Sequence, residues 1–164
     1  MDTIDQYNLH RFLGAQELFY KKALREIRKG KKESHWVWFI FPQLKGLGHS
    51  PLSNNYGISS IDEARAYLEN PTSKKHLIEA SSELLKHSKD RIFRKHKSAE
   101  EILGKLNAMK VRSSMTLFDL VMPNAIFADM LNAFYNGVRD ELTLSMTASL
   151  QPTPNNKTLW DWRF

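Results

Sequence analysis

The sequence contains no cysteine, which removes disulfide frameworks, thiol nucleophiles and cysteine-ligated zinc together. Such a composition suits a reducing compartment, and a cytoplasmic protein is expected. Long apolar runs are missing as well. The longest, residues 36–41, is far shorter than the ~20 residues that span a bilayer. No apolar segment follows a basic start, so nothing reads as a signal peptide, and no membrane partner is expected. The usual catalytic signatures are also absent: there is no H-E-x-x-H, no G-x-S-x-G, no P-loop and no pair of histidines at metal spacing. His76, His87 and His96 are too scattered for a ligand set on one helix, so neither a metal nor a cofactor is expected. After residue 44 there is no alternating apolar pattern of useful length, which argues against a sheet.

What is present is enough chain for one domain with a sizeable core: 164 residues, 41% of them hydrophobic. The net charge of +6 is concentrated. Residues 20–33 hold seven Lys/Arg against two Glu, and residues 86–97 hold six against one Asp. That leaves 11 bases and 15 acids for the rest of the chain, which is therefore net negative. Neither basic segment carries interleaved aromatics of the single-strand-binding kind, so only weak, non-specific nucleic-acid binding is expected. Ile92 and Phe93, inside the second segment, are expected to anchor it.

Helix signals recur along the chain. Residues 1–8 are polar and expected to fray. A short helix is read over 9–16 and a longer one over 17–29, with Gly30 as its C-cap. Residues 44–57, with Gly46, Gly48, Pro51 and Asn54-Asn55, read as a loop. Ser60-x-x-Glu63 is a capping box, Asn70-Pro71 an N-cap with proline at the first helical position, and Ser98-x-x-Glu101 a second box. Helices over 107–122, 126–137 and 140–150 complete an all-α domain of about eight helices spanning 1–150. The tail, 151–164, holds Trp160, Trp162 and Phe164 and is expected to dock on the domain or on a twin.

Two stretches stand out chemically. In Ser34-His-Trp-Val-Trp-Phe-Ile-Phe-Pro-Gln43, four aromatic side chains and an imidazole fall within ten positions. That much ring area belongs in a core or around a ligand. A short helix stopped by Pro42 is expected, with a buried strand as the alternative. The second stretch is Lys110-Val-Arg-Ser-Ser-Met-Thr-Leu-Phe118, whose hydroxyls are poor mid-helix residues. At 100° per residue Arg112, Thr116 and Asp119 share one face. They read either as a polar strip that holds an anion or as close helix packing plus a surface arginine.

These blocks, with Leu44-Lys-Gly-Leu-Gly48, Tyr56-Gly-Ile58 and Asp62-Glu-Ala-Arg-Ala-Tyr-Leu68, resemble the domain-of-unknown-function 1810 family across roughly residues 9–148. Its members are sometimes labelled calpastatin in bacterial genomes, although nothing in this chain supports a protease inhibitor. The resemblance implies a small all-helical bacterial domain without an established activity. Its signature carries over as Ser34, His35, Trp36, Trp38, Pro42, Gln43, Tyr56, Arg65, Arg112, Ser113, Ser114 and Thr116. The basic stretch near 89–97 and the Trp-rich tail are less typical of the family.

The resulting expectation is a pocket where Trp36, Trp38, Gln43, Tyr56, Arg65, Arg112, Ser113 and Thr116 bind a phosphorylated or nucleotide-like small molecule of the ADP-ribose type. If a reaction occurs there, glycosidic or phosphoester hydrolysis fits, with His35 as general acid/base and the two arginines on phosphate. The alternatives are a non-enzymatic interaction module, in which His35 and Gln43 merely satisfy core groups, or weak nucleic-acid binding through the basic segments.

Overall fold

The computed structural model describes residues 2–90 and 92–149, and the expectations for Trp160, Trp162 and Phe164 fall outside them. Among the described residues the chain forms ten α-helices and one 3-10 turn. They are α1 (Thr3–Gln6), α2 (His10–Lys29), α3 (Val37–Ile40), α4 (Pro51–Tyr56) and α5 (Ile61–Glu69), then α6 (Pro71–Leu85), the 3-10 turn (Lys86–Ser88), α7 (Ala99–Leu103), α8 (Lys105–Val121), α9 (Ile126–Tyr135) and α10 (Glu141–Ser149). The architecture is all-α, with an isolated parallel bridge between Leu44 and Ile58.

α8 is the internal helix. It packs on α5, α7, α9 and α10, and its Val111, Met115, Leu117 and Phe118 are fully buried. α2 lies along α6 and buries Phe12, Ala23, Leu24 and Ile27 on one side, as a 3.6-residue apolar stripe requires. Where the expectation broke this helix near residue 16, it runs unbroken, because Gln16 is buried and hydrogen-bonded rather than a boundary. Gly30 ends it with φ +81°, a left-handed C-cap at little steric cost.

The local start signals act as read. Ser60, Asn70 and Ser98 each accept a backbone N–H at a helix start. Ser98 and Glu101 form a full capping box. Glu63 does not complete the other one; its carboxylate turns to Ser59 and Arg11 instead. The expected loop at 44–57 contains α4, started by the Ser50 hydroxyl and by Pro51 at the first position. The polar N-terminus forms α1 under an Asp2 cap. Ile92 and Phe93 do not anchor the second basic segment: they are 93% and 95% exposed. Lys97 and His87 hold it, as described below.

Candidate functional site

The aromatic stretch is mainly core. α3 forms over Val37–Ile40 and Pro42 follows it. Trp36, Phe39, Ile40 and Phe41 are all buried. Gln16 clamps this turn from α2 by donating to the Phe39 carbonyl at 2.7 Å and to the Tyr67 hydroxyl at 2.8 Å. Trp36 donates its indole N–H to Glu26 Oε1 at 2.9 Å, and the backbone N–H groups of Glu33 and Ser34 reach the same oxygen at 2.6 and 2.7 Å. Burial alone would raise the Glu26 pKa; these donors outweigh it and bring the group down to about 2.

Two amines approach the rings. Lys32 Nζ lies 5.4 Å from the Trp36 ring centre and Lys110 Nζ 4.5 Å from that of Trp38. Desolvation lowers the pKa of both. For Lys32 the Glu26 carboxylate opposes that shift and the Lys110 charge adds to it. Trp38, Gln43, Ser53, Tyr56 and Lys110 line a cavity of about 10 Å³, room for roughly one water. His35 is exposed, with its ring 6.3 Å from that of Trp38.

Arg112 faces elsewhere. It stands two residues beyond Lys110 on α8, roughly 200° around the helix axis. There it lines a cavity of about 300 Å³ bounded by Ala99 and Glu100 at the start of α7, Met109 on α8, and Phe134 and Tyr135 at the end of α9. The buried Nε of Arg112 finds no acceptor among the described residues. Tyr135 donates its hydroxyl to the Ala108 carbonyl at 2.7 Å. Burial raises the pKa of that phenol, and the Arg112 charge works against the shift.

The remaining expected ligand residues are distributed differently. Arg65 donates to Asp62 at 2.8 Å on α5, and its charge acts on Tyr7. Ser113 is buried and donates to the Met109 carbonyl at 3.2 Å. Thr116 is fully buried; it donates to the Arg112 carbonyl at 2.8 Å and accepts the Asp140 N–H at 2.9 Å, which fixes the start of α10. The expected convergence on one pocket is therefore corrected. Trp38, Gln43 and Tyr56 share one small cavity, Arg112 lines another, Arg65 sits beside Asp62, and the two hydroxyls serve helix packing. No cluster of three or more His, Asp or Glu at metal spacing occurs among the described residues.

The model for "Protein of unknown function (DUF1810)" matches residues 6–147. The chain belongs to the DUF1810 family. A solved structure agrees: the conserved hypothetical protein Rv1873 from Mycobacterium tuberculosis is 39% identical, with a TM-score of 0.80 over 87% of this chain and 98% of that one. No curated protein matches the chain. Against this DUF1810 background, sequence reading missed Glu26, Lys32 and Lys110 around the tryptophans, and Phe134 and Tyr135 beside Arg112. Glu26 was hidden inside a basic run. Adjacent Phe134-Tyr135 near the end of the helix read over 126–137 is a legible aromatic pair.

Proposed function

We propose that this protein binds a small anionic molecule of nucleotide size in the cavity between α7, α8 and α9. The place of Arg112 on the wall of this cavity carries this reading: its guanidinium borders the open space, and its buried Nε finds no acceptor among the described residues. A guanidinium suits phosphate or carboxylate. Phe134 and Tyr135 offer a flat apolar wall, and Glu100 can accept hydrogen bonds from sugar hydroxyls. The volume of about 300 Å³ reaches the lower end of small-ligand sites. A hydrolytic step through His35 gains no support, since that ring stands near Trp38 and does not line this cavity. A bacterial cytoplasmic setting, which the cysteine-free composition suits, is part of this reading.

A second reading places the anion between Lys32 and Lys110, beside Trp38. It is favoured by two partly desolvated amines, one of which, Lys110, also lines the small cavity beside Trp38. Thermal shift with AMP, ADP-ribose and inorganic phosphate separates the two. A ligand at 100 times its dissociation constant adds ~2.7 kcal/mol, or on the order of 5–10 °C for a domain of this size. Arg112→Ala is expected to melt within a few degrees of wild type and to lose the ligand shift, while Lys110→Ala keeps it. The opposite pattern favours the second reading. Absence of any shift in the wild type with all three probes sinks both.

A further inference from the structure

The two basic segments, separate in sequence, meet in space. Arg28 from α2 joins Lys86, Lys89, Arg94 and Lys95 around a cavity of about 160 Å³. Its only carboxylate among the described residues, Glu83, is already engaged, at 3.6 Å from Arg28 and 2.7 Å from Lys86. The loop beside it is tied down at its base. The Lys97 N–H donates to the His87 carbonyl at 2.8 Å, His87 Nε2 donates to the Ile27 carbonyl at 2.6 Å, and Lys97 Nζ reaches the Gly30 carbonyl at 3.2 Å. Asp90, the one acid of the segment, accepts the His96 N–H at 2.7 Å. From this fixed base Ile92 and Phe93 stand 93% and 95% exposed.

We propose that this loop docks the protein on an anionic lipid surface, with Ile92 and Phe93 entering the headgroup layer and the surrounding cations meeting the lipid phosphates and carboxylates. Adjacent exposed apolar residues flanked by Lys89, Arg94 and Lys95 are what interfacial binding uses: apolar insertion supplies depth and the cations supply attraction to negative lipids. A single-stranded nucleic acid would use the cations, Phe93 and the exposed His96 ring, but it leaves the adjacent isoleucine, which has no ring to stack on, exposed to water. A lipid surface uses both tips. This is adhesion, not insertion of a span; no helix among the described residues is long and apolar enough to cross a membrane.

The test is co-sedimentation of the full chain with vesicles of phosphatidylcholine alone or with about a third phosphatidylserine, a mixture that carries the negative surface potential of a cytoplasmic leaflet. The wild type is expected to sediment with the anionic vesicles only. Ile92→Ser with Phe93→Ser keeps every charge and is expected to release the protein. Lys89→Gln with Lys95→Gln is expected to weaken binding about fivefold per charge, the factor that ~1 kcal/mol per basic residue at an anionic surface corresponds to. Since the chain has no cysteine, Phe93→Cys can carry one environment-sensitive dye, whose emission should shift to the blue on anionic vesicles. Melting curves of all variants should overlay, because the altered side chains are exposed. No sedimentation of folded wild type with anionic vesicles overturns the proposal. So does equal sedimentation of the double serine variant. Tighter binding of a single-stranded oligonucleotide than of vesicles, lost in that variant, assigns the loop to nucleic acid instead.

Discussion

Gly57 shows what a missing side chain can decide. It leaves α4 just before Ile58, whose N–H donates to the Gln43 carbonyl at 2.9 Å while its own carbonyl accepts from Lys45 at 2.8 Å. A Cβ at Gly57 would lie 2.6 Å from Lys45 Cα and 2.9 Å from the Ser53 carbonyl oxygen, so backbone must move to admit it. Its φ of −66° is ordinary, and the demand is therefore for space alone. Gly57→Ala is expected to cost about 1–3 kcal/mol, the usual range for overpacking a filled site. Urea unfolding checks it; an unchanged midpoint would show that the bridge gives way cheaply. The same scale explains Ser113 and Thr116. Their types marked α8 as unusual, but a buried hydroxyl can be satisfied by the carbonyl one turn back as readily as by a ligand, and both are.

Elements are joined by a few charged clamps, of which Arg11 is the chief. From the first turn of α2 it donates to the Tyr7, Asn55 and Gly57 carbonyls and to Glu63 of α5. Side-chain exposures of 13% for Arg11 and 4% for Glu63 make the pair nearly dry. Removing one partner of a buried pair leaves the other charge uncompensated. Arg11→Ala is thus expected to cost roughly 3–5 kcal/mol in equilibrium unfolding, with partial recovery when Glu63→Gln is added. A loss under ~1 kcal/mol would reduce the contact to a surface ion pair. At this scale much was legible in the sequence. The caps at Ser60, Asn70 and Ser98 work through neighbours within three residues, so spacing alone revealed them. α4 escaped because Ser50-Pro51 lay among glycines and asparagines that mimic a loop. The candidate site was legible in kind but not in place. Arg112 and the tryptophans announced themselves, whereas the side of α8 each would face depended on how α7 and α9 pack, which no local spacing encodes.

For the whole molecule, the acid limb of stability follows from where the carboxylates sit. Glu26 is 6% exposed and holds the chain leaving α2 against Trp36, and its pKa falls from 4.5 to about 2 on folding. Glu83 shifts the same way, chiefly through its hydrogen bond from Lys86. A folded pKa below the unfolded one means that the unfolded chain binds more protons in the window between them. The stabilisation is therefore present above the unfolded pKa and is lost as pH falls through the folded one. From Glu26 alone this amounts to on the order of 3 kcal/mol at neutral pH, lost progressively from about pH 5 downward. Wild type should lose a little stability from about pH 6.5 downward, because burial lowers the His76 pKa and the unfolded chain takes up that proton first, and then decline steeply below about pH 5. Glu26→Gln should start lower, because its amide offers the Trp36 and backbone donors a weaker, uncharged acceptor, and should decline less. The two curves are expected to approach each other in acid. Parallel curves across that range would mean that the carboxylate charge contributes nothing to holding Trp36, and that the acid limb belongs to other groups.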